Sequence, residues 1–367
     1  MRTLGDENGR TRNANVVSSI LTAGSAFASA SSIVLDRIGS LVAVSGSDTA
    51  LVPEALESHR RELTGYCYRM LGSGSEAEDA VQETLLRAWR AADRFEGRSS
   101  VRSWLYRIAM NVCLDMLRGA QRRARPMELG PPSPGREESL GPMLPEGKWI
   151  SPIPDPRVLP ETADPAEVAA ARETIRLAFV TALQRLPARQ RAVLILCEVL
   201  RWQATEVAEL LGTTVAAVNS ALQRARAALG EVPADQRPPT IDADHAELLA
   251  RYVDAFERYD IDRLVTLLRD DAIMSMPPFN MWIEGSAEIG RFMLEPAPSA
   301  CRGSRLVATA ANGSPAFAHY KPHPDGGFAA WALQVLEISD GRIGEYHCFL
   351  DTERIFPVFG LPLRLVS

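Results

Sequence analysis

Ala204–Leu229 reads ATEVAELLGTTVAAVNSALQRARAAL, two short amphipathic helical patterns that meet at Leu211-Gly212-Thr213-Thr214. Gly212 supplies the positive φ that closes the first helix. Thr213 or Thr214 caps the backbone N–H groups that open the second. Val207, Leu210 and Leu211 share one face of the first segment; Val215, Val218 and Leu222 do the same in the second. The pattern predicts a helix-turn-helix whose second helix turns Ala216, Asn219, Ser220, Gln223 and Arg224 outward. Asn and Gln suit a base edge, while Arg224 and Arg226 suit phosphate or guanine. Taken alone, the segment also fits a two-helix corner of any α-helical domain.

The 367 residues suffice for two or three domains with real cores. A net charge of −6 hides an uneven distribution. Residues 54–125 carry 13 basic and 10 acidic side chains, and 167–230 carry 8 and 5; residues 126–166 hold 3 and 7, and 231–367 hold 12 and 20. Two mildly basic modules thus alternate with an acidic linker and an acidic C-terminal domain, so total charge does not exclude nucleic acid. The cysteines Cys67, Cys113, Cys197, Cys301 and Cys348 form no CxxC pair. Buried free thiols in a reducing cytoplasm are expected, with neither disulfide nor zinc.

Residues 1–52 hold Arg2, Arg10 and Arg12 before a small-residue apolar run ending in Ala28-Ser29-Ala30, which imitates a secretory signal. Export would strand a DNA-binding protein, so a disordered extension is expected instead. No stretch reaches the ~18 uninterrupted apolar residues of a membrane span. From Pro53 to Arg125 the pattern is dense helix. A first helix is expected over 54–71. Ser75 and Glu78 have capping-box spacing for a second, starting near Glu76 and burying Ala80, Val81, Leu85, Ala88 and Trp89. Its other face shows Asp79, Gln82, Glu83 and Leu86, a solvated face or a docking strip for a partner helix. A third helix begins near Ser99-Ser100. Between Arg98 and Arg125 seven arginines face one acid, Asp115, and Trp104 and Tyr106 interleave with them. Aromatics among arginines suit unpaired DNA, with planar faces for stacking and cations for phosphate. Leu105 and Ile108 also read as core, and Trp104 fits either role.

Here the chain resembles a known family. The run Ala77-Glu78-Asp79-Ala80-Val81-Gln82-Glu83-Thr84, then Ala88-Trp89, then Trp104-Leu105-Tyr106-Arg107-Ile108-Ala109-Met110-Asn111 looks like region 2 of extracytoplasmic-function sigma factors of the sigma-70 family. The helix-turn-helix some ninety residues downstream stands where their region 4 lies. The resemblance implies that Asp79, Gln82, Glu83 and Leu86 dock on the β′ clamp of core RNA polymerase. It implies that Trp104, Arg107, Ile108 and Asn111 read and melt the −10 element, and that Asn219, Ser220, Gln223 and Arg224 read the −35 element. Many relatives carry Arg or Lys in place of Asn219, so a weaker phosphate contribution is expected there.

Residues 126–165 are acidic and rich in Pro and Gly, a linker too proline-broken for helix. Trp149 and Ile150 within it are either an anchor on a domain surface or without a role. In the family this linker threads the polymerase channels. Residues 166–230 form the second module, with helices broken at Pro187. Leu186-Pro187-Ala188-Arg189-Gln190-Arg191 matches the family's segment before the helix-turn-helix, and Arg189 and Arg191 are candidate phosphate contacts.

After a Pro-rich joint, residues 241–367 begin with two amphipathic helices, the second ending at Asp270-Asp271. A strand-like Ala272–Met276, a short helix Ser286–Phe292 and β-rich runs at 304–311, 315–321, 327–339 and 342–350 follow. Asn312-Gly313 and Asp340-Gly341 are hairpin turns between them. Helices before an antiparallel sheet make an α+β cone. The order, with Met276-Pro277-Pro278 and Trp282-Ile283-Glu284-Gly285, resembles the SnoaL-like branch of the NTF2-like fold, which the sigma-G/sigma-J-like type carries after region 4. Some of that fold's members are enzymes, which makes Asp271, His319, His347 and Asp351 candidate acid/base groups. Phe256, Met276, Trp282, Trp331 and Phe349 are candidates for a ligand pocket.

The expected architecture is therefore multidomain: two all-α sigma domains (53–125 and 166–230), then an NTF2-like cone. The expected function is an alternative sigma factor that binds core RNA polymerase (β′ clamp and β subunit) and promoter DNA in the cytoplasm. It is expected to be no enzyme, to need no cofactor or metal, and to be regulated by its C-terminal domain. A small-molecule ligand or an anti-sigma protein stays open as a further partner. The rival is a helix-turn-helix regulator with a ligand-binding or catalytic NTF2-like domain.

Overall fold

A computed structural model describes residues 53–97, 99–161, 164–229 and 243–366. The extension expected over 1–52 and the joint at 230–242 lie outside them. The first helical module comprises α1 (Pro53–Glu57), α2 (Arg60–Leu71), α3 (Gly74–Arg90) and α4 (Val101–Met116). The single helix expected over 54–71 is interrupted where the Ser58 hydroxyl donates back to the Ala55 carbonyl at 2.8 Å. Gly72, at φ 70°, closes α2. The cap of α3 is then Ser73 rather than Ser75, because Ser73 is the residue in extended conformation; its Oγ accepts from the Glu76 N–H. The third helix starts where expected, at Ser100, whose hydroxyl caps α4 by accepting from the Ser103 N–H at 3.1 Å.

Among its described residues the linker carries short 3-10 turns and isolated bridges, and it docks on the elements to either side. Its prolines forbid regular helix; many of its N–H groups bond within local turns, and several find acceptors on neighbouring elements. Ser151 N–H donates to Gly72 O at 3.0 Å, Leu144 N–H to Pro278 O at 2.9 Å and Ser133 N–H to Trp282 O at 2.7 Å. Trp149 and Ile150 are buried, and Ile150 packs into the core shared with the first module, so the pair is an anchor. Burying a side chain such as Ile150 contributes roughly 1.5–3 kcal/mol.

The second helical module runs α5 (Pro165–Glu173), α6 (Leu177–Gln184), α7 (Ala188–Leu194, extended by a π-helical turn, Ile195–Val199), α8 (Ala204–Leu211) and α9 (Val215–Leu229). Pro187 stands at the N-cap of α7, where its missing N–H costs nothing.

The C-terminal domain opens with α10 (Ala243–Arg258) and α11 (Ile261–Leu267). Then come β1 (Leu268–Ser275), β2 (Trp282–Glu284), α12 (Ser286–Met293), β3 (Arg305–Ala311), β4 (Ser314–Pro322), β5 (Phe328–Ser339) and β6 (Arg342–Phe349). α13 (Thr352–Val358) and β7 (Arg364–Leu365) end the described chain. The sheet order is β2-β1-β6-β5-β4-β3, with β7 on β5. It is mixed rather than antiparallel, because β1 and β6 run parallel. Asp270 and Asp271 lie inside β1, not at a helix end. Both predicted hairpin turns are present, with φ of 56° and 74° at Asn312-Gly313 and 51° and 69° at Asp340-Gly341.

One face of the sheet packs on α10 and α11 through Phe317, Leu336 and Tyr346. The other face, with Tyr320, Leu333, Val335 and Phe349, joins a single apolar cluster that also contains the cores of both helical modules and α13. The β3–β4 turn drives into this junction. Asn312 is fully buried and donates to the Tyr68 hydroxyl and the Ile175 carbonyl, each at 2.6 Å. It also exchanges bonds with the Ile153 N–H and C=O, both at 3.1 Å. Beside it the Gly313 N–H donates to Asp155 at 2.7 Å.

Burial pushes the Asp155 carboxyl up to about 6, with the Gly313 N–H and Arg172 holding it down less strongly. A carboxyl raised on folding stabilises the fold at low pH and loses that contribution as pH climbs through its folded value. Stability is therefore expected to fall, by up to about 3 kcal/mol, between about pH 4 and about 6. Asp155→Asn should flatten that segment of the pH profile in urea unfolding. An unchanged slope would show that Asp155 is not the titrating group.

Candidate nucleic-acid interface

The predicted helix-turn-helix is formed by α8 and α9. Gly212 turns the chain at φ 61°, and Thr214, the second of the two candidate caps, accepts from the Ala217 N–H at 3.2 Å. Val207, Leu210 and Val218 are buried, while Val215 is exposed at the start of α9. Asn219, Ser220, Gln223 and Arg224 all stand on the exposed side of α9. Arg224 donates to the Ser220 hydroxyl at 2.7 Å, which holds its guanidinium over the same face. Arg226 is drawn away from that face by an ion pair with Glu198. Helix α9 thus presents three amide- or hydroxyl-bearing side chains and an arginine within two turns, a set able to read base edges and contact phosphate.

On α4, Arg107 and Asn111 are exposed, and Trp104 and Ile108 are half-buried. Trp104 lies against Phe95, ring centroids 5.0 Å apart. The second helical module approaches this helix from one side. Arg107 donates to the Glu209 carbonyl of α8 at 3.4 Å. Trp202, just before α8, sits 5.0 Å from the Tyr106 ring, and the Arg102 guanidinium lies 5.1 Å over it. Arg102 is itself anchored on Glu62 at 2.8 Å.

On α3, Asp79, Gln82 and Leu86 are exposed and Glu83 is half-exposed, its carboxylate accepting from Arg87 at 2.6 Å. Trp89 was expected to be buried. It is 60% exposed, three residues beyond Leu86 at 39%, so the two make an apolar strip on one side of the helix. The signal was present in the sequence, since 82, 86 and 89 follow helical spacing. The aromatic ring invites a core assignment that the local packing does not provide.

Arg189 is exposed, but Arg191 is not free for phosphate. Its guanidinium is buried and donates to the carbonyls of Met70, Gln184 and Leu186 and to the Gln184 side chain. It stitches the C-terminal end of α2 to the turn between α6 and α7.

The C-terminal candidates do not converge. Phe256 is in the cone interior, edge-on to His319 at 5.0 Å, whereas Phe349 is on the opposite sheet face against the helical modules. Trp282 is buried with its indole donating to Gly130 O at 2.9 Å. Met276 is half-buried, and Trp331 is exposed beneath Lys321 Nζ. Space inside the cone is instead taken by a bonded network: Tyr252 donates to Gln334 at 2.8 Å, and Gln334 contacts His319 and Tyr346. Burial holds the His319 imidazole down at about 3, hence neutral. Asp271 is exposed and paired with Arg269. His347 faces the helical modules rather than the cone, and Asp351 precedes α13.

Residues 55–123 match the sigma-70 region 2 family, 176–229 the sigma-70 region 4 family and 249–346 the SnoaL-like domain family. The chain is 47% identical over 310 residues to the ECF RNA polymerase sigma factor SigG of Mycobacterium tuberculosis, covering 83% of this chain and 82% of that protein. It is 32% identical over 244 residues to SigJ of the same organism, covering 65% and 70%. The crystal structure of M. tuberculosis SigJ aligns with a TM-score of 0.53 at 25% identity, covering 84% of this chain and 99% of that one. Among the described residues no helix is long and apolar enough to cross a membrane.

Arg191→Ala strips these carbonyls of their donor and is expected to cost about 3 kcal/mol in urea unfolding. Arg189→Ala should stay within about 0.5 kcal/mol. Equal effects would contradict the assignment of Arg191 as a structural staple.

Proposed function

Since the chain belongs to the extracytoplasmic-function RNA polymerase sigma factors, with sigma regions 2 and 4 followed by a SnoaL-like domain, we propose how its surfaces divide the work and how they are restrained. Asp79, Gln82, Glu83 and Leu86 on α3 dock on the polymerase clamp, with Trp89 extending the strip. Asn219, Ser220, Gln223 and Arg224 on α9 read the −35 element. Trp104, Arg107, Ile108 and Asn111 on α4 engage the −10 element. The SnoaL-like domain regulates these activities rather than catalysing a reaction, in keeping with acid/base candidates that are scattered over different faces. The protein acts in the cytoplasm, where polymerase and promoter DNA are.

The observation that carries the regulatory part is the contact between α4 and α8 through Arg107 and Glu209, and through Tyr106, Arg102 and Trp202. Elements centred near −35 and −10 are separated by about 25 base pairs at ~3.4 Å each, on the order of 80 Å. Helices from two modules in contact do not span that distance. The packed arrangement is therefore a closed form, and promoter engagement requires the two helical modules to part. Residues 126–165, fully extended, reach about 130 Å and so permit it. What opposes opening is the shared apolar core and the Asn312 junction, both supplied in part by the SnoaL-like domain.

Two sets of variants separate the roles. Arg107→Ala with Asn111→Ala should leave binding to core polymerase intact and reduce open-complex formation at least tenfold. Asp79→Ala with Gln82→Ala should instead weaken the polymerase complex itself. Identical behaviour of the two sets in binding and permanganate footprinting assays would refute the division.

Asn312→Gly keeps the turn geometry but removes the side-chain bonds to Tyr68, Ile153 and Ile175. It is expected to enlarge the free protein in small-angle scattering and to raise run-off transcription several-fold. A variant as compact as the parent, with unchanged transcription, would sink the closed-form reading.

A further inference from the structure

A group of side chains with no part in the surfaces above lies on the sheet face that meets the helical modules. Glu337 of β5 pairs in register with Glu345 of β6, and His347 follows two residues on, so all three project from the same face. Each offers one ligand-capable atom, and these atoms lie within 4.8 Å of one another. The His347 Nε2 stands 2.8 Å from Glu345 Oε2, and its Nδ1 is 2.8 Å from the Ser275 hydroxyl on β1. The Ser275 contact fixes the ring and directs Nε2 toward the carboxylates, as the outer partner of a metal-bound histidine does. Glu337 is 8% exposed, and its Oε1 is buried without a hydrogen-bond partner. A carboxylate oxygen removed from water and left unpaired is costly unless something occupies it. Next to His347 a crevice of about 10 Å³ opens between Ala124, Arg125 and Leu177 on one side and Ser275 and Phe349 on the other, room for about one water-sized occupant.

Two arginines compensate the carboxylates from across the interface. Arg125, at the end of the first module just before the linker, donates to Glu345 Oε2 at 2.9 Å. Arg176, between α5 and α6, comes to 4.0 Å from Glu337 Oε2. Both belong to the parts of the chain that must move away on opening, while all three candidate ligands and Ser275 stay together on the sheet.

We propose that Glu337, Glu345 and His347 bind a borderline divalent transition-metal cation such as Zn²⁺, and that the cation and the pair Arg125 and Arg176 compete for the same carboxylates. One imidazole and two carboxylates make a donor set suited to zinc, cobalt or manganese rather than to copper(I) or calcium. The observed 4.8 Å spread needs to contract by about an ångström for bonds of ~2.0–2.2 Å. Bound metal removes the anions that Arg125 and Arg176 hold, so by linkage it favours the open form. That consequence rests on the closed-form reading; the site itself does not.

The test is calorimetric titration of the metal-free full-length chain with Zn²⁺, repeated with Co²⁺ while following visible ligand-field absorption. One equivalent is expected, at least tenfold weaker in Glu337→Gln and in His347→Ala. Glu345→Gln gives the same reading should either buried variant fail to fold. The decisive variant is Arg125→Ala, which retains every ligand and should bind several-fold more tightly than the parent. Absence of saturable binding, or binding that ignores the Glu and His substitutions, overturns the site. Binding at the site that Arg125→Ala leaves unchanged overturns the competition. If metal binds as expected but scattering of the metal-bound chain shows no expansion, the site stands and its coupling to opening fails, while the closed-form reading is decided by Asn312→Gly.

Discussion

The side chain of Asn312 is the point at which the first module, the linker, the second module and the C-terminal domain all meet. A type I′ turn requires two residues at positive φ, and Asn is one of the few that tolerates it. Here the same residue that makes the turn possible is fully buried, where an amide with unmet bonds would be costly. It is satisfied by Tyr68 of the first module, Ile153 of the linker and Ile175 of the second. No two of those partners are near in sequence, so the bonds exist only when all parts are docked.

Around that junction the apolar surfaces are pooled rather than private. The sheet has two greasy faces: one closes on α10 and α11, and the other lies on the helical modules and α13. The linker fills the seam because its prolines keep it extended and its N–H groups reach both neighbours. The linker is thus part of the packed structure rather than a free tether. Charged groups also meet across this seam. Arg125 and Arg176 meet Glu337 and Glu345 across it, and an ion pair buried at an interface is neutral or costly unless its partners are all in place.

The helix-turn-helix and the α4 face were legible because helical periodicity and capping are local properties. Gly212, Thr214, Ser100 and the two hairpin turns follow from φ preferences and side-chain hydrogen bonds within a few residues. The failures have a shared physical origin. Trp89 reads as core, Arg191 reads as phosphate contact, and five apolar C-terminal residues read as one pocket. In each, residue chemistry was assigned a neighbour that only packing supplies. Trp89 stays 60% exposed, Arg191 meets a ring of carbonyls, and Phe256 and Phe349 lie on opposite sides of one sheet.

By itself, then, the sequence determined the two helical modules, the α+β cone, their order, the exposed face of α9 and most of that of α3, because periodicity and caps are written within single elements. Tertiary structure alone decided that the parts share one core, that α8 rests against α4, that Trp149 and Ile150 are an anchor, and that Glu337, Glu345 and His347 meet. Those facts depend on contacts between residues up to some two hundred and forty positions apart, such as Tyr68 and Asn312. Their energy comes from surfaces buried together, which local pattern does not record.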